Sequence, residues 1–318
     1  MKLIVPKYYA DFKCVGGSCS DNCCIGWEID IDEKTKEKYF SLKSPLGDRI
    51  RKSTVTENGV CHFAMQGERC PFLNSENLCD IICSMGDEGL CEICREHPRF
   101  YTVLGDTVYG GVGLSCEEAA RLILTNPEPA EYITLDIECD SEECDGELYE
   151  IFLSLRERIK EIFADKTQSM VYIKKAVSEA VEIAQSRADA SPEIPCQIKG
   201  ISNIELVGIL KKCELLTDEL PTLLKNASTQ KTDGSKNKNT NNYLQNTLLY
   251  FLERYLPKAV EDGDFLGKLR FALFSAEVIE ALLCAEDDLT LQRAVYLCKL
   301  YSKEIEYNEE NVLIIESI

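Results

Sequence analysis

Beyond Glu147 apolar residues recur at steps of three and four. Leu148, Ile151, Phe152, Leu155, Ile159, Ile162 and Phe163 form one stripe, as in a helix with a single buried face. Similar stripes run through Met170–Ala184, Ile204–Leu224, Tyr243–Leu256, Phe265–Cys284 and Leu289–Tyr301, and Pro257 and Gly263 punctuate one of the breaks. A tract rich in Lys, Asn, Thr and Ser, Asn226–Asn242, reads as a flexible loop. The pattern predicts an all-helical domain over residues 147–318.

Residues 1–127 follow no such period. Segments are short: a possible strand at Gly26–Ile31, a short helix over Asp30–Lys43, and a helix Cys116–Thr125 opened by a capping box of Ser115 and Glu118. Gly105, Gly110, Gly111 and Gly113 read as a hairpin or turn, since no G-x-G-x-x-G follows a strand and opens a helix. Glu128–Glu150 carries ten acidic residues and no lysine or arginine, and residues 128–146 read as an exposed acidic connector. The expected fold class is mainly α. An irregular, cysteine-rich, metal-organised module (1–127) precedes the connector and the helical domain.

Composition narrows the chemistry. The chain has 318 residues, 45% of them hydrophobic, and a net charge of −20, which argues against binding a nucleic-acid backbone. No apolar run is long enough to span a bilayer, and the start, Met1–Lys7, lacks the apolar run of an export signal. The expectation is a cytoplasmic protein with no membrane or nucleic-acid partner. Cysteine is the anomaly: 17 residues, 11 of them within the first 120, against two histidines. In a reducing compartment thiolate–metal chemistry is a better reading of that excess than disulfides.

Cys14, Cys19, Cys23 and Cys24 lie on one loop with Gly16 and Gly17. Cys70, Cys79, Cys83, Cys91 and Cys94 form a second group, with Cys91 and Cys94 in a C-x2-C pair. Cys61 and Cys116 flank it. Cys14, Cys19, Cys23, Cys24, Cys70, Cys79, Cys94 and Cys116 are the pool of expected metal ligands. Four thiolates suit zinc or an iron–sulfur cluster, and spacing does not choose between them. Cys196, Cys213, Cys284 and Cys298 sit in or beside helical patterns and read as small buried hydrophobes.

Several segments resemble the flagellin lysine-N-methylases. They are Pro6-Lys7-Tyr8-Tyr9, Asp11-Phe12-Lys13-Cys14, Cys19-x3-Cys23-Cys24-x-Gly26-Trp27, Cys70-Pro71-Phe72-Leu73, Leu78-Cys79-x-Ile81, Cys94-Arg95-x-x-Pro98-Arg99 and Leu114-Ser115-Cys116-x-Glu118-Ala119-Ala120. The cysteine pattern is also similar to a wider group of zinc- or iron-chelating cysteine-cluster domains. The resemblance covers residues 1 to about 125. It implies an enzyme that transfers a methyl group from S-adenosylmethionine to lysine side chains of flagellin and holds an iron–sulfur cluster, 4Fe-4S in type. Extra cysteines at 83 and 91 depart from the pattern.

The residues themselves keep other readings open. Trp27 could stack on a sulfonium or pack over the metal loop. Arg95 and Arg99 could bind a cofactor carboxylate or offset thiolate charge. Catalytic residues are not identifiable. The alternative function is a non-enzymatic metal or iron–sulfur module that engages a protein partner; a third is a redox protein using Cys91 and Cys94.

Overall fold

The structure, a computed structural model, describes residues 1–190, 202–227 and 238–318. Cys196 and residues 228–237 of the polar tract lie outside the described residues. In chain order the elements begin β1 (Lys2–Pro6), α1 (Glu33–Ser41), α2 (Pro45–Lys52), β2 (Thr54–Glu57), β3 (Val60–Phe63), α3 (Asp80–Met85), α4 (Glu92–Glu96), β4 (Arg99–Leu104), β5 (Thr107–Val112), α5 (Glu117–Thr125) and β6 (Tyr132–Asp136). Helices follow: α6 (Gly146–Ala164), α7 (Met170–Ala188), α8 (Asn203–Leu210), α9 (Glu219–Ala227), α10 (Lys238–Tyr255), α11 (Ala259–Asp262), α12 (Phe265–Cys284), α13 (Leu291–Ile305) and α14 (Glu309–Glu316). The fold is mainly helical, as the periodicity predicts.

The chain divides into two compact units. The larger comprises Met1–Phe12, Phe100–Ser115 and Ala119–Ile318; the smaller comprises Lys13–Arg99 with Cys116–Glu118. The chain's first residues therefore group with the helices, and the division does not fall at residue 127.

The larger unit carries a four-stranded sheet in the order β4-β5-β1-β6. β1 runs parallel to β5 and antiparallel to β6, pairing Leu3 with Val108 and with Leu135. Leu3 and Val5 alternate into the core. Tyr132–Asp136 thus corrects the expectation of an exposed connector: β6 closes one edge of the sheet, and Lys2 Nζ bonds Asp136 Oδ1 at 2.6 Å.

The helical periods hold where burial demands them. Ile151, Phe152, Leu155, Ile159, Ile162 and Phe163 of α6 are buried, and α12 is buried on most of its circumference. α12 packs with α7, α10, α13 and α14. Asn246 of α10 donates to the carbonyls of Ile123, Leu124 and Asn126, satisfying the C-terminal end of α5. Two expectations need correction. Ile204–Leu224 is split into α8 and α9, because Glu304 accepts from Leu216 N (2.6 Å) and Thr217 Oγ1 (2.6 Å) and holds a turn between them. The end of the polar tract, residues 238–242, is the first turn of α10 rather than loop.

The smaller unit has its own core: Ile29, Ile31, Tyr39, Ile50, Cys61, Phe63, Cys70, Phe72, Leu73, Ile81, Leu90 and Cys91. β2 and β3 form a hairpin over Asn58 and Gly59, both at positive φ (50° and 86°), as a tight two-residue turn requires. Gly26–Ile31 is extended but forms no full strand; it docks on β3 through Ile31 N–H to Cys61 O (2.7 Å) and Phe63 N–H to Ile29 O (3.1 Å). α1 begins at Glu33, after Asp32 caps it by accepting from Thr35 N–H at 2.9 Å.

Candidate metal centre

All eleven cysteines of the first 120 residues belong to the smaller unit. Six of them meet. The backbone brings the first two to a third: Cys70 N–H donates to the Cys24 carbonyl at 2.8 Å, and Gly26 N–H to the Glu68 carbonyl at 2.7 Å. The Cys24 thiol lies beside the thiols of both Cys23 and Cys70 and is electrostatically coupled to each. Cys79 joins from the next segment, where Leu73 bridges Cys79 and Asp80 N–H bonds Phe72 O at 2.8 Å.

The C-x2-C pair completes the set. Cys91 precedes α4 and Cys94 lies one turn on, so the two sulfurs share a face and are electrostatically coupled. α1 fixes their position twice. Asp32 Oδ2 accepts from Glu92 N–H at 2.8 Å, and Tyr39 Oη, fully buried, donates to the Gly89 carbonyl at 2.7 Å. The charges on Cys23 and Cys70 are felt at Cys94, which ties the two groups into one constellation.

The electrostatics favour thiolates at alternate members. The hydrogen bond from Cys24 draws Cys23 and Cys70 down to about 7, against the opposing effect of burial. Arg49 helps at Cys70, while its guanidinium lies over the Phe72 ring and pairs with Asp80. Cys91 is lowered by its bond from Cys94. Cys24 and Cys94, the donors, are raised, and burial raises Cys79. A metal ion or cluster takes thiolates, so a site already poised to shed protons is chemically suited to one.

The expected pool is thus partly assembled. Cys23, Cys24, Cys70, Cys79 and Cys94 come together, and Cys91, read from the sequence as a departure, stands among them. Its C-x2-C spacing was the signal for including it. Cys14 Sγ is exposed and accepts from Gly16 N–H. Cys19 Sγ reaches the Asp21 carbonyl (2.9 Å) and Glu117, the neighbour of Cys116. Cys83 is exposed, and Cys61 is buried in the core.

Of the expected cofactor-binding residues, Arg95 is exposed and Arg99 half-buried. Trp27 is half-buried, three positions after Cys24. Arg95 Nε contacts Glu96 Oε1 at 3.4 Å, and Arg99 Nη1 donates to the Arg95 carbonyl at 3.3 Å, so these two are adjacent. Of the cysteines read as packing residues, Cys298 is fully buried, while Cys213 and Cys284 are half-buried.

No helix among the described residues is long and apolar enough to cross a membrane. No family model matches the chain, and no solved structure matches it. It is similar to the flagellar biosynthetic protein FliU of Salmonella muenchen, 28% identical over 130 residues, covering 39% of this chain and 77% of that one. Two proteins named lysine-N-methylase, from Salmonella choleraesuis strain SC-B67 and Salmonella typhimurium strain LT2, are each 27% identical over 130 residues. That match spans 39% of this chain but only 32% of each methylase. At that distance the chain stands as a remote relative of proteins named for flagellar biosynthesis and for lysine methylation.

Proposed function

We propose that this protein takes part in the methylation of lysine side chains on flagellin, with S-adenosylmethionine as methyl donor and a thiolate-held metal centre in the smaller unit. The convergence of Cys23, Cys24, Cys70, Cys79, Cys91 and Cys94 carries the reading. Five of the eight cysteines picked out by the resemblance belong to this group, which supports the reading, and the named relatives supply the reaction class.

The donor set bears on the metal. A tetrahedral zinc ion with Zn–S bonds of about 2.3 Å needs sulfurs roughly 3.8 Å apart. Among the described residues no three thiols have their sulfurs all within 4.8 Å of one another. Six thiols exceed the four that a thiolate-ligated iron–sulfur cluster takes. Four of the six would hold such a cluster, and the other two would pack beside it or hydrogen-bond its ligands. When bound, the cluster supplies electron transfer or Lewis acidity. Arg49, beside Cys70, offsets part of the thiolate charge.

The net charge of −20 suits a substrate presenting ammonium groups and a donor carrying a sulfonium. Methyl transfer needs the lysine amine neutral and in line with the methyl carbon. A second reading, a metal-binding module that engages a protein partner without catalysis, draws support from the short span of the match to the methylases.

The test is the intact mass of the host's flagellin, co-expressed with and without this protein under low oxygen. A ladder of methyl-sized increments that vanishes with Cys23→Ser supports the enzyme. Unmodified flagellin beside metal-loaded protein would sink that reading and favour the partner-binding module.

A further inference from the structure

We propose that Glu28, Asp30 and His62 form a second metal site, separate from the thiols, that takes a single divalent transition-metal cation. The placement follows from the β-geometry of the smaller unit. The bonds from Ile31 N–H to Cys61 O and from Phe63 N–H to Ile29 O lay this segment antiparallel beside β3, and they set Asp30 directly opposite His62. Successive residues on extended chains face opposite sides. Ile29, Ile31, Cys61 and Phe63 all turn into the core, none more than 5% exposed. Glu28, Asp30 and His62 therefore share the other face. One ligand atom from each, two carboxylate oxygens and an imidazole nitrogen, lies within 4.8 Å of the other two.

A second observation points to a ligand. His62 is only 9% exposed, and its Nε2 faces Glu28 Oε1 at 3.6 Å, too far for a hydrogen bond. Among the described residues no side-chain hydrogen bond reaches the ring. An imidazole nitrogen that faces two carboxylates at this range, hydrogen-bonded to neither, has its lone pair free to join their oxygens on a cation. A cation there would accept the nitrogen lone pair and both oxygens at once.

The donor set selects the ion. Two carboxylates balance a dication, and mixed imidazole and carboxylate donors suit manganese, iron(II) or zinc. The thiol constellation prefers soft metals, so the two sites differ in kind. Three protein ligands leave positions for water. Glu28 is 71% exposed at its side chain, which keeps the site open to exchange. A metal there would also pin the segment that follows Cys23 and Cys24 onto β3.

Manganese(II) alone is the probe, because thiols bind it poorly. The full-length chain is titrated at physiological salt, and the loss of the free-ion electron paramagnetic resonance signal gives stoichiometry and affinity. One equivalent is expected to bind in the unsubstituted protein and in Cys23→Ser. Glu28→Gln and His62→Gln are each expected to weaken binding by at least about tenfold. Glu28→Gln changes an exposed side chain, so it decides the matter even if His62→Gln misfolds. Failure to bind one equivalent would overturn the proposal. So would unsaturable binding equal in all variants, which belongs to diffuse negative charge.

Discussion

Arg254 and Glu306 offer the sharpest test of how the larger unit is held together. Glu306 has no exposed side-chain surface, and Arg254 only 12%; Nη1 and Oε1 lie 3.1 Å apart. Tyr250 Oη (3.0 Å) and Tyr255 Oη (3.2 Å) also donate to Glu306 Oε1. The guanidinium lies over the rings of Phe100 (4.8 Å) and Tyr307 (5.6 Å). At 3.1 Å and an effective dielectric of about 20, the pair attracts with roughly 5 kcal/mol. Desolvation of both ions offsets much of that, so the pair's net worth is small. Losing one partner is another matter, because it strands a charge in the core. Glu306→Gln keeps an acceptor for the tyrosines and removes only the charge, so a loss of about 3 kcal/mol is expected. Glu306→Ala also orphans two buried hydroxyls and should cost about 5 kcal/mol. Urea unfolding followed by far-ultraviolet circular dichroism reads this unit, which holds the long helices. The double variant Arg254→Met with Glu306→Gln should lose clearly less than the two single losses added together. A Glu306→Gln loss under about 0.5 kcal/mol, or strict additivity in the double variant, would refute the reasoning.

Four further outcomes are expected. Tyr39→Phe leaves the Gly89 carbonyl without its buried donor and should cost about 1–3 kcal/mol; faster hydrogen exchange across residues 87–94 would localise it. Asp145→Ala removes the acceptor for Glu147 N–H and Leu148 N–H and should lower stability by about 1 kcal/mol, measured by urea midpoint. Lys174, between Glu277 and Glu280, is raised above its usual value: burial opposes the charge, but the two carboxylates outweigh it. A raised folded value means the contribution is complete below the unfolded value, near 10.4, and fades as pH climbs through the folded one. The melting-temperature gap between the unsubstituted protein and Lys174→Met should therefore stay constant from pH 7 to about 10 and then narrow; a gap closing below pH 9 would contradict this. Cys91→Ser should remove most of the bound iron or zinc measured by elemental analysis, whereas Cys83→Ser, at an exposed position, should not.

The helices were the most legible part of the chain because their signal is local. The stripe of α6 needs only its own residues, and its bounds lie within two positions of the apolar run. Where the fold depends on distant partners, local pattern fails. Between Ile204 and Leu224 the break signals Thr217-Asp218 and Pro221 are outweighed by the apolar stripe; the turn is held by hydrogen bonds to Glu304 and Asn311, some ninety residues on. β1 and β6 are short, and each is stabilised by a partner more than a hundred positions away. An acidic stretch read alone as connector becomes an edge strand once β1 lies beside it. Charged edge residues such as Asp136 are themselves a reason for the edge to stay unpaired on its far side.

The candidate sites repeat that division. Residue type and spacing were enough to single out thiols, and five of the eight expected ligands meet in the structure. Which thiols meet depends on two contacts that spacing does not encode: the bridge from Cys24 to Cys70, and the hold of α1 on the loop before Cys91. Cys91 belongs because Tyr39 and Asp32 fix the turn it starts; Cys14 stands apart because the bond to its sulfur is local, from Gly16. The Glu28–Asp30–His62 group runs the other way. Its alternation, Glu28-Ile29-Asp30-Ile31, is visible in the sequence as polar against apolar, yet only pairing with β3 adds the imidazole. Thiols crowd the sequence and draw notice by composition alone; the single histidine of β3 meets its carboxylates only through register. Register places one core residue on each side of His62, so shifting β3 by one position would bury the imidazole and expose Cys61 and Phe63. The same apolar packing that holds the thiols' unit together therefore also aims the histidine.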